Sequence, residues 1–298
     1  MNPKVFVIVG PTASGKSSFA MTLAEKFPVE IINADSRQVY RGLNIGTSKP
    51  LSEDFSKVPH HLYDVCDPNE KFDSHTYQKM AEEKVRTILA KGKYPLVVGG
   101  TGLYVKSLLY GLVEAPGADL TLREKLEAEA REKGLVSLHE RLKKIDPLAA
   151  KRIHQNDPAR IIRALEVFEL TGKTISEFQA NHGFELPRFP FMKIGLKTER
   201  SKLYSLINQR VLAMVNQGLE SEVKNLLQEW GTISILSRVI GYKEWIDFFA
   251  NRKTKADVIE EIQQNTRNLA KRQMTWFQKE KDVVWVEENG MINDKEFA

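Results

Sequence analysis

The residues whose types and spacing indicate chemistry most directly form a glycine-rich loop near the start of the chain. The pattern G-x-x-x-x-G-K-[ST], the phosphate-binding loop, is matched by Gly10, Pro11, Thr12, Ala13, Ser14, Gly15, Lys16 and Ser17. In such a loop the backbone N–H groups point at phosphate oxygens, the lysine adds a full positive charge, and the following hydroxyl can bind Mg²⁺. The sequence therefore predicts a diphosphate or triphosphate site with Ser17 as a metal ligand.

Short apolar runs predict the strands that position this loop and its neighbours. Residues 5–9 predict a buried strand before the loop, and residues 29–33 predict a second strand that leads to Asp35. Ligands of open α/β sheets gather beyond the carboxyl ends of the strands, so Asp35 is expected beside the polyphosphate, where a carboxylate handles a metal or a proton. Capping of the next helix is the alternative role. A third strand, residues 94–98, runs into a Gly-Gly-Thr-Gly turn that brings Thr101 to the same edge.

The order of these elements predicts the fold class and the domains. Strands that alternate with helices are typical of an α/β fold, here a P-loop NTPase-like parallel sheet flanked by helices. From Leu120 to Leu170 the apolar spacing is helical, and residues 191–196 then predict a strand that returns to the sheet. We therefore predict a catalytic core of residues 1–113 and 191–298, interrupted by an all-helical insertion of residues 114–190.

Composition and charge limit the class of protein. The chain has 298 residues, a net charge of +5, a pI of about 9.0 and one cysteine, Cys66. One cysteine excludes internal disulfides and a cysteine-based zinc site, and no apolar run reaches the length of a membrane span. The first residues lead directly into a strand, so we expect no signal peptide. We also expect no membrane contact, a location in the cytoplasm and a monomer.

Two stretches have the character of nucleic-acid contacts. Residues 151–210 carry eleven Lys and Arg against six Asp and Glu, which suits a basic patch and equally a solvated helix surface. Within this stretch Arg160 and Arg163 lie three positions apart, on one side of a predicted helix. Residues 265–277 mix cationic and aromatic side chains, which suits a nucleic-acid backbone or a pyrophosphate but is also ordinary in helix packing.

Several segments together resemble the tRNA dimethylallyltransferase (tRNA isopentenyltransferase) family, bacterial type. They are, in chain order, GPTASGKS, ADSRQVYRGLNIGTSKP, VVGGTGLYVKSLL, DPARIIRALEVFELTGK, IGYKEW and RNLAKRQMTWF. The resemblance extends over essentially the whole chain. It implies transfer of a dimethylallyl group from dimethylallyl diphosphate to N6 of the adenosine immediately 3′ of the anticodon, with pyrophosphate as the leaving group.

The resemblance also implies roles for individual residues. The catalytic set is Lys16, Asp35, Thr101 and Arg210, in which Arg210 adds a cation on the diphosphate and Thr101 lies beside the target base. Residues 10–17 bind the diphosphate together with Mg²⁺ on Ser17. The contacts to the tRNA anticodon stem-loop are Asp35, Ser36, Arg37, Gln38, Thr101, Arg123, Ala159, Arg160, Ile161, Ile162 and Arg163. The adenine must leave its stack to reach this crevice, which implies base flipping.

Other functions remain open from the sequence. A nucleotide or small-molecule kinase would use ATP on the same loop, although the long helical insertion is unlike a compact kinase. A GTPase-like switch would need the guanine-reading N-K-x-D motif, which the sequence lacks. A cytokinin synthase would prenylate free adenine nucleotides and would not need the predicted insertion. The C-terminal zinc finger of some eukaryotic relatives is excluded by the single cysteine.

Overall fold

A parallel β-sheet forms the centre of the larger part of the fold. The computed structural model describes residues 4–183, 186–232 and 235–287. The strands in these ranges are β1 (Val5–Val9), β2 (Val29–Asn33), β3 (His60–His61), β4 (Tyr94–Val98), β5 (Phe191–Lys197) and β6 (Val283–Glu287). Their order across the sheet is β3-β2-β4-β1-β5-β6, and every neighbouring pair is parallel. The prediction of an α/β fold with a parallel sheet is confirmed.

Helices connect the strands and make up the rest of the fold. They are α1 (Lys16–Lys26), α2 (Ser52–Lys57), α3 (Ser74–Ala90), α4 (Gly102–Tyr110), α5 (Leu120–Lys133), α6 (Leu135–Ile145), α7 (Pro147–Arg152), α8 (Pro158–Thr171), α9 (Ile175–His182), α10 (Arg200–Asn216), α11 (Leu219–Trp230), α12 (Lys243–Phe249) and α13 (Lys255–Phe277). The sequence did not predict α2, α9 or α12, which are short, and short helices depend on tertiary packing more than on periodicity.

The last helix ends earlier than the sequence predicts. The sequence predicts a long helix over residues 256–281, but α13 ends at Phe277 and β6 begins at Val283. The ammonium group of Lys193 on β5, which is buried, lies 2.7 Å from a carboxylate oxygen of Glu280 and 3.0 Å from one of Asp282. Because a buried charge needs partners, this lysine holds the end of the helix against the sheet, and the chain turns there.

Two apolar clusters hold the sheet and the segment that follows β2. All five residues of β1 are buried, as expected for a parallel strand. On one face Phe6 and Ile8 pack in a cluster with Leu23 of α1. A second cluster joins Leu43, which lies beyond β2, to Trp245 of α12 and to residues of α10, α11 and α13. The loop after β2 is therefore packed on helices that come much later in the sequence.

The chain divides into two compact units. One consists of residues 1–109 and 187–298, and the other of residues 110–186. In its described residues the second unit is all helical and has its own core, in which Leu126, Leu142 and Leu165 are buried. It covers most of the predicted insertion. None of the helices in the described ranges is long and apolar enough to span a membrane.

A buried carboxylate lies at the start of β2. The side chain of Glu30 is 2 % exposed and accepts hydrogen bonds from His61 (2.8 Å), Lys91 (3.1 Å) and Lys93 (3.0 Å). Burial by itself raises the pKa of a carboxyl group, but the hydrogen bonds from His61 and the two lysines outweigh it and lower the pKa of Glu30 to about 2. His61 thus has a structural partner.

We expect Glu30→Gln to lower the free energy of unfolding by about 2 kcal/mol at pH 7, because two lysine cations and His61 lose their charged acceptor. A depressed carboxyl pKa stabilises the fold above the pKa of the unfolded chain, and this contribution disappears as the pH falls toward the folded value. Urea unfolding should therefore give a difference between wild type and variant that shrinks between pH 5 and pH 2. The exposed Glu83→Gln is the control, and a difference independent of pH would contradict the ionic role.

Candidate active site

The glycine-rich loop forms one wall of a cavity of about 410 Å³ at the carboxyl end of the sheet. The loop follows β1 and ends where α1 begins at Lys16, after Gly15 in the left-handed region at φ 81°. Five of the eight predicted loop residues line the cavity: Thr12, Ala13, Gly15, Lys16 and Ser17. Gly10, Pro11 and Ser14 are buried behind them. A helix N-terminus that opens on a cavity favours anions there.

Two cations from distant parts of the chain meet in this cavity. The ammonium group of Lys16 donates to the carbonyl of Pro11 at 2.5 Å. Arg210, from α10, donates to the hydroxyl of Thr12 at 3.1 Å and toward the carbonyl of Thr47 at 3.4 Å. Burial lowers the pKa of Arg210. Burial and the neighbouring Arg210 lower the pKa of Lys16 to about 7. Among the residues lining this cavity the one acid is Asp35, so the site favours a ligand with several negative charges.

Asp35 is held in place through its backbone. The side chain of Asn33, at the end of β2, is fully buried; its carbonyl oxygen accepts from the N–H of Asp35 at 2.8 Å, and its amide donates to the carbonyl oxygens of Asp35 and Leu62. The carboxylate of Asp35 accepts from the N–H of Arg37 at 2.8 Å. The alternative in which Asp35 caps a helix is wrong, because this segment is a turn and the next helix begins at Ser52.

A second cavity, of about 330 Å³, adjoins the first. The two share Thr12, Asp35, Thr47, Arg210 and Gln273 as lining residues. The second is lined further by cations and by apolar side chains, namely Arg37, Ile207, Val211, Met214, Arg238, Val239, Ile240, Lys243, Ile262, Leu269 and Arg272. Of the predicted tRNA contacts, Arg37 lines this cavity and Gln38 the first. Asp35 lies where the two cavities join.

The glycine turn lies at the first cavity as predicted, but the side chain of Thr101 does not. Gly99 and Gly100 line the first cavity as expected, but Thr101 lines neither. Its hydroxyl accepts from the N–H of Ser36 at 3.0 Å, which ties the turn to the segment beside Asp35. A Cβ at Gly99 would lie 2.2 Å from the backbone of Ala34. The glycine there is required for close packing of backbone on backbone.

The sequence analysis missed the part that Gln273 plays. From α13, its side-chain oxygen accepts from the N–H of Thr12 at 2.8 Å and its amide donates to the carbonyl of Gly100 at 3.1 Å. Gln273, which lies 261 residues after Thr12, thus joins the phosphate-binding loop to the glycine turn. The mixture of polar and aromatic residues at 265–277 was the signal, but it did not indicate which side chain faces the cavity. The sequence likewise did not indicate that Arg238 and Arg272 line the second cavity.

The predicted tRNA contacts of the second unit differ in how exposed they are and in whether another side chain already binds them. Ala159 and Arg160 are exposed in the first turn of α8, with 66 % of the Arg160 side chain accessible. Arg123 and Arg163 both donate to the fully buried carboxylate of Glu166, at 2.8 Å and 2.6 Å. The side chains of Ile161 and Ile162 lie in that unit's core, and the two whole residues are only 0% and 6% exposed, so neither offers a surface for a contact with RNA.

Comparison with known proteins places the chain in a family. A model of the family described as "IPP transferase" matches residues 38–280, and one described as "Isopentenyl transferase" matches residues 3–68. The tRNA dimethylallyltransferase of Geobacter sulfurreducens is 47% identical over 285 residues, which cover 95% of this chain and 92% of that protein. The chain belongs to the tRNA dimethylallyltransferase family. The resemblance found from the sequence motifs is confirmed.

Solved structures of tRNA dimethylallyltransferases share the fold. The tRNA isopentenylpyrophosphate transferase of Bacillus halodurans matches with a TM-score of 0.71 at 39% identity, over 99% of this chain and 93% of that one. A eukaryotic dimethylallyltransferase, described as acting on tRNA, matches with a TM-score of 0.82 at 29% identity, over 96% of this chain and 74% of that one. The family's fold therefore extends over nearly all of this chain.

Proposed function

We propose that this chain transfers a dimethylallyl group from dimethylallyl diphosphate to N6 of the adenosine immediately 3′ of the anticodon in tRNA, with release of pyrophosphate. The observation that carries the proposal, beside family membership, is the combination of two half-buried cations, Lys16 and Arg210, in one cavity with the carboxylate of Asp35 where that cavity joins a second. The first cavity suits a diphosphate, and the second suits a base that arrives from a nucleic acid.

The diphosphate half of the reaction belongs to the first cavity. When the bond between the allylic carbon and the diphosphate oxygen breaks, its electron pair leaves with pyrophosphate and negative charge builds on that oxygen. Lys16 and Arg210 face this charge from half-buried positions, where a fixed cation is more effective than in bulk solvent. Family resemblance assigns the same two residues to the leaving group.

The adenine half belongs to the second cavity. The N6 amine supplies the electron pair for the new N–C bond and then carries an excess proton, which Asp35 accepts. Asp35 lines both cavities, which supports its assignment as the proton acceptor. The apolar side chains around the second cavity, such as Val211 and Met214, provide surfaces for a base that has left its stack. Thr101 remains a predicted neighbour of the base.

The residues present fit a magnesium ion bound with the diphosphate. Ser17 and Asp35 line the same cavity and offer hydroxyl and carboxylate oxygens, which are the ligands that Mg²⁺ prefers. Among the described residues no group of three His, Cys, Asp or Glu is placed to hold a metal by itself, so phosphate oxygens and water would supply the remaining ligands. We assign Ser17 as the protein ligand; the ion, when bound, neutralises charge on the leaving group.

Transfer to unmodified tRNA with dimethylallyl diphosphate and Mg²⁺, followed by mass analysis of the nucleosides, tests the function. We expect an isopentenyl mass shift on one adenosine beside the anticodon and none when AMP replaces tRNA. A shift on AMP would favour the cytokinin synthase reaction, and consumption of ATP with no shift on either acceptor would favour a kinase. A tRNA acceptor fits the predicted location in the cytoplasm, and the monomer stays a prediction.

For the second unit we expect Arg160→Ala to weaken tRNA binding and to reduce the slope of log K against log salt concentration by about one unit, because an exposed arginine at a phosphate releases about one counterion. Arg163→Ala should leave the slope nearly unchanged and lower the stability of the unit, because its guanidinium is engaged by Glu166. Filter binding over a salt series distinguishes them. An unchanged slope for Arg160→Ala would show that Arg160 belongs to a solvated helix surface and does not contact a phosphate of the tRNA.

A further inference from the structure

Glu222 of α11 lies outside both cavities and binds the loop that borders them. Its carboxylate accepts from the backbone N–H groups of Asn44 (3.2 Å), Ile45 (2.8 Å) and Gly46 (3.1 Å), which lie at least 176 residues earlier in the chain. It also accepts from the hydroxyl of Tyr242 at 2.6 Å. One side chain thus accepts four hydrogen bonds from two separate segments.

Tyr242 packs against the same loop. Its side chain is fully buried, and burial together with the Glu222 carboxylate raises its pKa, so the hydroxyl keeps its proton and remains a donor. A Cβ at Gly46 would lie 2.5 Å from the tyrosine ring, so the loop backbone approaches the ring as closely as glycine allows. Glu222 and Tyr242 therefore determine where the backbone of residues 44–46 lies.

The next residue of the loop is part of the site. Thr47 lines both cavities. Its carbonyl oxygen accepts from the side-chain amide of Gln38 at 3.0 Å and lies 3.4 Å from the guanidinium of Arg210. The other end of that guanidinium donates to Thr12 in the phosphate-binding loop. The guanidinium thus spans two loops, and one of the two is held by Glu222.

We propose that Glu222 is a positioning residue for the transfer reaction: by holding residues 44–46 it places the carbonyl of Thr47, and that carbonyl orients Arg210 toward the diphosphate. The inference rests on the proposed function in so far as Arg210 binds the diphosphate. Glu222 itself touches neither the donor nor the acceptor. A carboxylate is needed because it has two acceptor oxygens and no donor, which matches three N–H groups and one hydroxyl.

Replacement by glutamine keeps the shape and removes one acceptor. The new amide nitrogen can only donate, so it faces N–H groups that have lost their partner, and the loop must move. Glu220, two residues earlier on α11, offers a matched control because its carboxylate pairs with Lys255 near the surface. Glu220→Gln makes the same chemical change on the same helix without touching the loop.

The binding of inorganic pyrophosphate, measured by calorimetry in the presence of Mg²⁺, tests the proposal. We expect Glu222→Gln to raise the Kd by about tenfold, as for loss of one good hydrogen bond to the ligand. Glu220→Gln should match wild type, and the Kd for tRNA should be the same in all three proteins. In an Arg210→Ala background Glu222→Gln should add less than about twofold, because the group that it positions is gone.

Tyr242→Phe provides a milder variant if Glu222→Gln does not fold. It removes one of the four hydrogen bonds and should raise the pyrophosphate Kd by about two- to threefold. The proposal is overturned if the Kd for pyrophosphate is unchanged in both variants, or if the effect of Glu222→Gln is equally large without Arg210. Either result would exclude the positioning role of Glu222. The proposed function would still stand if the wild-type protein transfers the dimethylallyl group to tRNA.

Discussion

Asp35→Asn lowers the rate of dimethylallyl transfer by about 10²–10⁴-fold, the range for loss of a general base. Asparagine is nearly the same size, and its side-chain oxygen can still accept the hydrogen bond from the N–H of Arg37 that the carboxylate accepts now. The turn and the backbone contacts of Asn33 should therefore persist. The loss falls on proton transfer, because an amide cannot take the proton that the N6 amine releases.

Single-turnover kinetics with saturating tRNA and dimethylallyl diphosphate measure this effect without a contribution from product release. The Kd values of both substrates should change by less than about threefold, since binding of the ground state does not need the base. Asp67→Asn is the control, because Asp67 pairs with Arg41 at the surface. A variant that keeps more than about one-tenth of the wild-type rate would remove Asp35 from the role of base.

Lys16→Ala should lower kcat by about 10²–10³-fold, the usual loss when one fixed stabiliser of a developing negative charge is removed. It should also weaken pyrophosphate binding, because one of the two cationic side chains at the leaving group is removed. Lys26→Ala, an exposed lysine in the last turn of the same helix, is the control. An alanine variant at position 16 within about threefold of wild type in kcat would exclude contact of this lysine with the leaving group.

The lowered pKa of Lys16 adds a pH dependence to this prediction. In the free protein its pKa is about 7, and a bound diphosphate favours the charged form and raises it. The contribution of Lys16 to affinity is therefore complete below pH 7 and is lost as the pH rises toward the pKa of the complex. At pH 8 binding of pyrophosphate should take up about one proton more in wild type than in Lys16→Ala.

Calorimetry at pH 8 in buffers with different ionisation enthalpies measures this uptake. The difference between wild type and Lys16→Ala cancels the protonation of pyrophosphate itself, which is common to both. Equal proton uptake in the two proteins would show that Lys16 is already charged in the free site, and that its burial does not lower the pKa enough to matter at this pH.

The amino-acid sequence determined the elements whose signals are local. The apolar runs at 5–9, 29–33 and 94–98 predicted three strands with the bounds that the structure has, because a buried parallel strand is a short continuous apolar stretch. The phosphate-binding loop was equally clear, since a fixed spacing of Gly, Lys and Ser encodes one local backbone geometry. The order of strands and helices then determined the fold class, and the motifs in sequence determined the family.

The tertiary structure alone decided which distant residues meet. Periodicity shows that a side chain faces inward but not what it contacts, so Gln273 on Thr12 and Glu222 on Gly46 carried no local signal. The sequence predicted that Arg163 contacts a phosphate, but in the structure its guanidinium forms an ion pair with Glu166. The end of α13 was likewise set by Lys193, on a strand about 85 residues away. Such contacts depend on how separate elements pack, and packing is a property of the folded chain as a whole.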